Sequence, residues 1–264
     1  MPKVAIVAAL QREVSGLTRN WSRVEQRHDG RSFVFFERDD MVVVCGGIGL
    51  EAARRAAEAV IGLYHPALLQ SVGFAGALDS SLQVGNIFMP TVVIDSRDSS
   101  RVEVEIDGAT APQQRSSSLV TFMDVAGMQQ KASLAKSYGA QAVDMEAAGV
   151  AAAARAHGIA FAATKVISDE LTFEMPHMAR FFDARGQFRT ASFGAFVALR
   201  PTLWRRVAQL ARNSRKAARA LGEHLERYRQ ELSRASGQGS GQSSEKTVAA
   251  AVAAVSESSA RGPE

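Results

Sequence analysis

The sequence predicts an α/β protein, a single domain in which a mixed central β-sheet is flanked by helices. Short apolar runs typical of buried strands recur along most of the chain. Helical stretches lie between them, and glycine-rich turns connect several strands to the helix that follows. This alternation of strand, loop and helix is typical of α/β folds. With 264 residues, of which 46% are hydrophobic, the chain is large enough to bury a core of that kind.

Strands in the first half of the chain are predicted where short segments are apolar or alternate in polarity. They lie at residues 4–10, 32–37, 41–45, 67–72 and 87–94. The pair Asp39-Asp40 between the second and third of these predicts a hairpin turn. The glycines of residues 46–49 lead into a helix predicted over 50–64, which Pro66 ends.

The second half begins with a polar stretch, residues 95–118, which predicts an exposed hairpin and loop. Strands are then predicted at 119–124, 141–145 and 159–167, and helices at 129–138, 146–157 and 200–234. After Ser236 the composition changes to Gly, Ser, Gln and Ala, which predicts a flexible low-complexity tail. We therefore divide the chain into a globular domain of residues 1–232, which includes a basic amphipathic helix at 200–232, and a tail of residues 233–264.

Composition excludes several classes of protein. The single cysteine, Cys45, cannot form an internal disulfide or a thiolate metal cluster, and we expect it to be a small buried residue at a strand end. No apolar run is long enough to span a membrane, so we expect a cytoplasmic protein. Neither a metal nor an organic cofactor is indicated. The net charge of +4 hides ten basic and three acidic residues within 200–234. The rest of the chain is therefore acidic, which argues against a nucleic-acid-binding protein.

Three acidic residues follow apolar segments, at positions where an α/β sheet places its ligands. Glu13 follows the first predicted strand, Glu146 lies in the segment 143–148, and Asp169 follows the strand at 159–167. Together they suit glycosidic chemistry, in which one group protonates the leaving group, one activates water and one holds the sugar hydroxyls. Each of them, taken singly, is equally consistent with a helix cap or an exposed loop acid.

Five segments together resemble the superfamily of purine nucleoside phosphorylases and methylthioadenosine/S-adenosylhomocysteine nucleosidases. They are residues 5–13, 46–49, 71–78 with 84–87, 143–148 and 166–169. The most specific part is Asp-Met-Glu-Ala at 144–147, followed by Ile-Ser-Asp at 167–169. The resemblance implies a nucleoside phosphorylase-like fold, purine nucleosides as small-molecule substrates, and assembly into a homo-oligomer.

The resemblance also implies roles for individual residues. Asp169 would protonate or hydrogen-bond N7 of the purine, with Ser168 orienting it. Glu146 would hold the ribose hydroxyls, Met145 would pack against the sugar, and Glu13 would activate the attacking water. The further substrate-binding residues that it implies are Gly49, Phe74, Ala75, Gly76 and Lys165.

The nucleophile is either water or phosphate. Relatives that use phosphate tend to carry an arginine just before the second glycine segment, where this chain has Gln70-Ser71-Val72. That difference and the presence of Glu13 favour water. Arg12, and Lys165 at a position where many relatives have arginine, favour phosphate instead. Alternatively, Arg12 is a surface charge and Lys165 pairs with a neighbouring acid.

Two segments near the end of the chain allow a functional and a structural interpretation. The aromatic stretch at 173–188, which includes His177, is either a lid over the substrate or part of the core. The basic helix at 200–232 loosely resembles the C-terminal part of hopanoid-associated phosphorylases, which act on a nucleoside that carries a polycyclic lipid. It is either a solvated helix packed on the sheet or a surface for peripheral contact with anionic lipids.

From residues and resemblance together, we expect an enzyme that cleaves the N-ribosidic bond of purine nucleosides. Hydrolysis of 5′-modified adenine nucleosides, as in methionine salvage, is the favoured reaction. Phosphorolysis, including that of a hopanoid-linked adenosine, is the first alternative. A nucleoside-binding protein that has lost turnover is the second.

Overall fold

The computed structural model describes residues 4–104, 117–175, 181 and 190–238. Within these residues the strands are β1 (Val4–Ala8), β2 (Ser22–His28), β3 (Arg31–Arg38), β4 (Met41–Cys45), β5 (Leu68–Ala77), β6 (Ile87–Phe88), β7 (Val92–Asp95), β8 (Arg101–Glu103), β9 (Ser118–Thr121), β10 (Ala142–Asp144) and β11 (Ala160–Asp169). The helices are α1 (Gln11–Thr18), α2 (Leu50–Tyr64), α3 (Met128–Tyr138), α4 (Ala147–Ala156), α5 (Thr190–Ala198) and α6 (Pro201–Gln238).

The described strands form one mixed sheet in the order β2-β3-β4-β1-β5-β10-β9-β7-β8, and β11 pairs with β5 and β6. Strands β1, β4, β5 and β11 run parallel to one another. Strand β10 runs antiparallel to β5 and parallel to β9. The predicted mixed sheet with flanking helices is therefore confirmed.

An opening in the sheet lies beside the middle of β5. On one side of β5, the pairing with β1 ends where Ala8 lies opposite Val72. On the same side, the pairing with β10 begins where Val143 lies opposite Gly76. Because β1 runs parallel to β5 and β10 runs antiparallel to it, the carboxyl ends of β1 and β10 point toward each other across residues 73–75. Chain segments that leave these two strands therefore meet at one place.

Helices cover both faces of the sheet. Helices α2 and α4 pack together over one face, in an apolar cluster with Val42, Leu69 and Ala163. Helices α1 and α6 pack over the other face, where Leu221 and Leu225 are fully buried. Helix α3 lies at the β9 and β10 side, in a third cluster. The sheet core is thus shielded from water on both faces, as its continuous apolar strands require.

Several elements of the structure differ from those predicted. Helix α1 was not expected, because only eight residues with Val14 and Leu17 on the buried face carry its signal. Strand β2 was also not expected, since it lies at the sheet edge and is mostly exposed and charged. The strand predicted at 87–94 is two strands, because Pro90 interrupts the pairing.

The C-terminal boundary also requires a correction. Helix α6 continues to Gln238, so residues 235–238, beyond the predicted helix end at 234, are helical, and the domain boundary predicted at 232 falls inside the helix. No glycine or proline occurs between Leu232 and Gly237, and Leu232 is still buried, so nothing stops the helix at 232. The rest of the predicted tail lies outside the described residues.

Candidate active site

The opening beside β5 leads into a cavity of about 640 Å³, a size typical of small-molecule sites. Glu13, Glu146 and Asp169 all line this cavity. The sheet brings them there by three routes: Glu13 follows β1, Glu146 follows β10, and Asp169 ends β11. The structure therefore places the three predicted carboxylates, which are far apart in sequence, around a single space.

Glu13 lies in the first turn of α1, and its carboxylate turns back to the start of the helix. Its Oε2 accepts a hydrogen bond from the backbone N–H of Leu10 at 3.1 Å. The side chain is buried, which raises the pKa of Glu13 above its ordinary value, and nearby Lys165 and Arg12 only partly oppose that effect. Gly73 of β5 passes beside it, and a β-carbon there would lie 3.1 Å from Oε2.

Glu146 precedes α4 and lies next to the start of α2. Its Oε1 accepts a hydrogen bond from the backbone N–H of Gly49 at 2.9 Å. Gly49 has a φ of 100°, in the region that favours glycine, so its N–H is presented by a turn that other residues rarely adopt. Burial, followed by the charge of Asp144, raises the pKa of Glu146 to about 8.

Asp169 ends β11, and its side chain is held at both oxygens. The register between β11 and β5 shifts between Ile167 and Asp169. Such a bulge redirects side chains, and here it allows the Ser168 hydroxyl to donate to Asp169 Oδ1 at 2.7 Å. The predicted orienting contact of Ser168 is thus present in the structure.

Lys131 of α3 is a site residue that the sequence interpretation missed. Its Nζ donates to Asp169 Oδ2 at 2.5 Å and to the carbonyl oxygen of Glu170 at 2.7 Å. Lys131 lines the cavity wall, although only 1% of its surface is exposed. One local signal existed, since a lysine stands on the same side of α3 as the buried Leu134, at a spacing of three residues.

Lys165 is also buried, but it lies away from the cavity surface. Its Nζ contacts Asp144 Oδ2 at 2.8 Å and donates to Ser71 Oγ at 2.9 Å. Of the two sequence interpretations, the structure agrees with the ion pair and not with direct substrate binding, because both contacts hold the ammonium inside the sheet. Asp144 in turn accepts the Thr121 hydroxyl at 2.7 Å, so this pair is part of the scaffold beneath Glu146.

Four of the other predicted binding residues line the cavity, and one does not. Met145, Phe74, Ala75 and Gly76 line the cavity. Gly49 is not among the lining residues and acts through its hydrogen bond to Glu146. The roles that the resemblance implies for all of these residues stay predictions.

Helices α1 and α6 contribute a further part of the wall. Residues from α6 line the cavity with a mainly apolar surface: Val207, Leu210, Ala211, Ser214, Arg215 and Ala218. Arg12 of α1 also lines it and lies over the ring of Phe74, 5.9 Å from the ring centre. The predicted basic helix is therefore part of the cavity as well as of the core.

The aromatic stretch at 173–188 is described only in part. Met175 lines the cavity, as does Phe193 of α5. Phe173 and Phe181 are buried, and the ring of Phe181 packs edge-on against that of Phe193 at 5.3 Å. His177 and the remaining aromatic residues of this stretch lie outside the described residues.

Cys45 is the cysteine of this chain, and Glu13 affects its thiol. Cys45, at the end of β4, is half-buried, and burial together with the charge of Glu13 raises the pKa of its thiol to about 12. In the described part of the chain, no group of three or more His, Cys, Asp or Glu side chains is arranged to hold a metal ion. Across the same residues, no helix combines the length and apolar character needed to cross a lipid bilayer.

One curated relative is 5′-methylthioadenosine/S-adenosylhomocysteine nucleosidase of Halalkalibacterium halodurans, which is 31% identical over 96 residues. That match spans 35% of this chain and 42% of the relative, less than half of its length.

Solved structures of nucleosidases share the fold at low sequence identity. The enzyme of Helicobacter pylori, solved with butyl-thio-DADMe-Immucillin-A, matches 86% of this chain and 98% of its own with a TM-score of 0.58 and 16% identity. The enzyme of Colwellia psychrerythraea, solved with adenine, matches 64% of this chain and 84% of its own with a TM-score of 0.55 and 22% identity.

The family itself is shown by a longer match. The sequence profile of the Phosphorylase superfamily matches residues 3–118 and 113–198, which is well over half of the chain. These residues include β1 to β11 and all three carboxylates of the cavity. The expected resemblance is confirmed, and the chain belongs to the phosphorylase superfamily.

Proposed function

We propose that this protein is an enzyme that cleaves the bond between the base and the ribose of purine nucleosides, with water as the nucleophile. The observation that carries the proposal is the meeting of Glu13, Glu146 and Asp169 at one cavity of suitable size. Family membership and the nucleosidase relative support the same class of reaction.

The surroundings of each carboxyl group suit a different part of this reaction. Breaking an N-ribosidic bond leaves electrons on the base and positive charge on the sugar ring. Asp169, hydrogen-bonded to a hydroxyl and an ammonium group, suits the protonation of the base. Glu146 suits the sugar hydroxyls, and buried Glu13, as a carboxylate, suits removal of a proton from the attacking water.

The favoured substrates are adenine nucleosides with a modified 5′ position. The apolar wall from α6, with Val207 and Leu210, offers a surface for an apolar or thioether substituent. The curated relative is named for methylthioadenosine and S-adenosylhomocysteine, both of which carry such a group.

Phosphorolysis is the second candidate, because two arginines line the cavity. Arg12 and Arg215 are exposed at its wall and are the kind of group that binds a phosphate. Lys165 no longer supports this alternative, since Asp144 and Ser71 hold its ammonium group.

The experiment is release of free base from methylthioadenosine, S-adenosylhomocysteine, adenosine and inosine, each with and without phosphate. We expect adenine release from the first two in phosphate-free buffer. A strict requirement for phosphate would replace hydrolysis by phosphorolysis. Binding of these nucleosides without release of base under either condition would favour the binding protein and contradict the proposal.

The expected membrane contact, homo-oligomer and cytoplasmic location stay predictions. At the start of α6, Leu199 and Trp204 are 80% and 55% exposed, close in sequence to Arg205, and this combination suits anionic lipid headgroups. Co-sedimentation with anionic and with neutral vesicles tests the first of these predictions. Sedimentation velocity tests the second.

A further inference from the structure

Lys131 is a buried ammonium group that contacts Asp169 but has no step of its own in the reaction outlined above. Its side chain is 1% exposed, and Asp169 beside it is 3% exposed. Burying a charged pair costs several kcal/mol in desolvation unless close contacts and further hydrogen bonds compensate it. Lys131 makes both kinds of contact, with Asp169 Oδ2 and with the carbonyl oxygen of Glu170. A pair of this kind at the cavity wall therefore requires an explanation beyond stability.

Strand β5 leaves room for this ion pair. A β-carbon on Gly76 would lie 2.9 Å from Asp169 Oδ2 and 3.2 Å from Lys131 Cε. Ser168 already donates to the other oxygen, Oδ1. Asp169 is consequently held in one orientation by a hydroxyl on one side and an ammonium on the other.

The chemistry of the pair suggests what Lys131 contributes. A carboxylate that accepts hydrogen bonds at both oxygens has no proton of its own to give to a departing base. The ammonium group in contact with it carries three. We propose that Lys131 is a positioning residue that supplies, through Asp169, the proton that the leaving purine receives. The inference rests on the proposed function, because it concerns the same bond cleavage.

Each proton and electron pair in this reaction has a donor and an acceptor. The bond between the base and the sugar breaks, and its electron pair stays on the base. A proton passes from Lys131 Nζ to Asp169, and Asp169 delivers a proton to a ring nitrogen of the base. Water adds its oxygen to the sugar carbon, and its proton goes to Glu13. Glu13 then loses that proton to solvent, and the neutral lysine regains one from solvent.

The test compares two leaving groups in Lys131→Met. Methylthioadenosine needs a proton on its base, whereas the nitrophenolate of 4-nitrophenyl β-riboside leaves without one. We expect kcat for methylthioadenosine to fall by about 100-fold or more, which is the usual size of a general-acid effect, and kcat for the nitrophenyl riboside to stay within about threefold. The ratio of the two kcat values decides the outcome, because any loss of folded protein cancels in it.

Matched variants complete the design. Lys136→Met changes an exposed lysine of the same helix and should leave the ratio unchanged. Lys131→Arg keeps a cation that does not release a proton, so we expect the ratio to stay as low as in Lys131→Met, and recovery of the ratio would contradict proton supply by Lys131. In an Asp169→Asn background, Lys131→Met should have no further effect on methylthioadenosine, because Lys131 acts through Asp169.

Two outcomes are kept apart. If the wild-type protein releases base but Lys131→Met lowers both kcat values equally, or neither, the inference about Lys131 is wrong and the proposed function stands. If the wild-type protein releases base from no nucleoside, the proposed function itself fails.

Discussion

Glu13, Glu146 and Asp169 line the same cavity, but each carboxyl group has different neighbours. Glu13 is buried with a backbone N–H as its hydrogen-bond donor. Glu146 stands near a second carboxylate, that of Asp144. Asp169 alone among the three contacts an ammonium group within the described residues. Because local charge and burial set protonation, Glu13 and Glu146 are expected to respond differently to pH, and all three groups to substitution.

Asp169→Asn removes the carboxyl group that is proposed to deliver a proton to the purine. We expect kcat to fall by about 100-fold or more with the fold intact, since the amide still accepts a hydrogen bond but cannot relay a proton. Steady-state kinetics on methylthioadenosine, with circular dichroism as the control for folding, measure this. Activity close to that of the wild type would remove Asp169 from the proton-delivery role.

The proposed role of Glu13 predicts how activity depends on pH. Burial raises the pKa of Glu13 above 4.5, and Glu13 must be ionised to accept a proton from water. We therefore expect kcat/KM to fall as the pH is lowered, with a midpoint above 4.5. Glu13→Gln should lower kcat by about 100-fold and abolish this acid limb. Glu51→Gln, at an exposed first-turn position of α2, is the control, and an unchanged acid limb in Glu13→Gln would contradict the assignment.

Replacing Glu146 is expected to lower activity but to raise stability at high pH. Its pKa is raised to about 8 in the folded protein, so folding favours the protonated form. This contribution to stability is complete below the pKa of the unfolded chain and is lost as the pH rises through about 8. Glu146→Gln should therefore raise Tm at pH 9 relative to the wild type, with little difference at pH 4, while lowering activity. Thermal unfolding at pH 4 and pH 9 is the measurement. An equal change in Tm at both pH values would contradict the raised pKa of Glu146.

At the scale of elements, close contacts between helices hold the site together. The starts of α2 and α4 lie side by side, and Glu146 before α4 accepts the N–H of Gly49 before α2. Gly149 makes this approach possible, because a β-carbon there would lie 2.3 Å from the carbonyl oxygen of Leu50. On the other face, α1 and α6 approach each other closely at Gly16 and Gly222.

Gly149→Ala tests the contact between α2 and α4. The new methyl group meets backbone and cannot be accommodated by a side-chain rotation, so we expect a loss of at least about 2 kcal/mol in the free energy of unfolding. Gly194→Ala, in α5 with open space around it, is the matched control and should be neutral or stabilising by up to about 1 kcal/mol. Urea denaturation of both variants measures the difference. Equal stabilities would show that α4 moves away at little cost.

At the scale of the whole molecule, α6 joins the core to the cavity. Its first half supplies Val207 and Leu210 to the cavity wall. Its second half supplies Leu221, Leu225 and Tyr228 to the apolar cluster on one face of the sheet. The cavity consequently depends on an element that is also part of the hydrophobic core.

Leu225→Ala separates these two functions of α6. Leu225 is fully buried and is not a lining residue, so we expect a loss of about 2–5 kcal/mol in stability with an unchanged KM for the protein that remains folded. Leu199→Ala, at a residue that is 80% exposed, should change stability by no more than about 0.5 kcal/mol. Denaturant titration and steady-state kinetics measure both quantities. A raised KM in Leu225→Ala would mean that the cavity responds to core packing.

The sequence by itself determined the class of fold, most of the elements and the three carboxylates. Helix α2 was predicted with the bounds that the structure has, because its apolar spacing, preceding glycines and following Pro66 are all local signals. Glu13, Glu146 and Asp169 were found because each follows an apolar segment within a recognisable motif. Signals of this kind lie within a few residues of the feature they predict.

Only the tertiary structure decided which charges meet. Lys131 lies 38 residues before Asp169, and its spacing from the buried Leu134 indicates only which side of α3 it occupies, not that it meets Asp169. Lys165 was open to two interpretations until the order of β5, β10 and β11 placed it against Asp144. The physical reason is that partners of buried charges are set by which strands are neighbours and in which direction they run, and local periodicity carries no information about either.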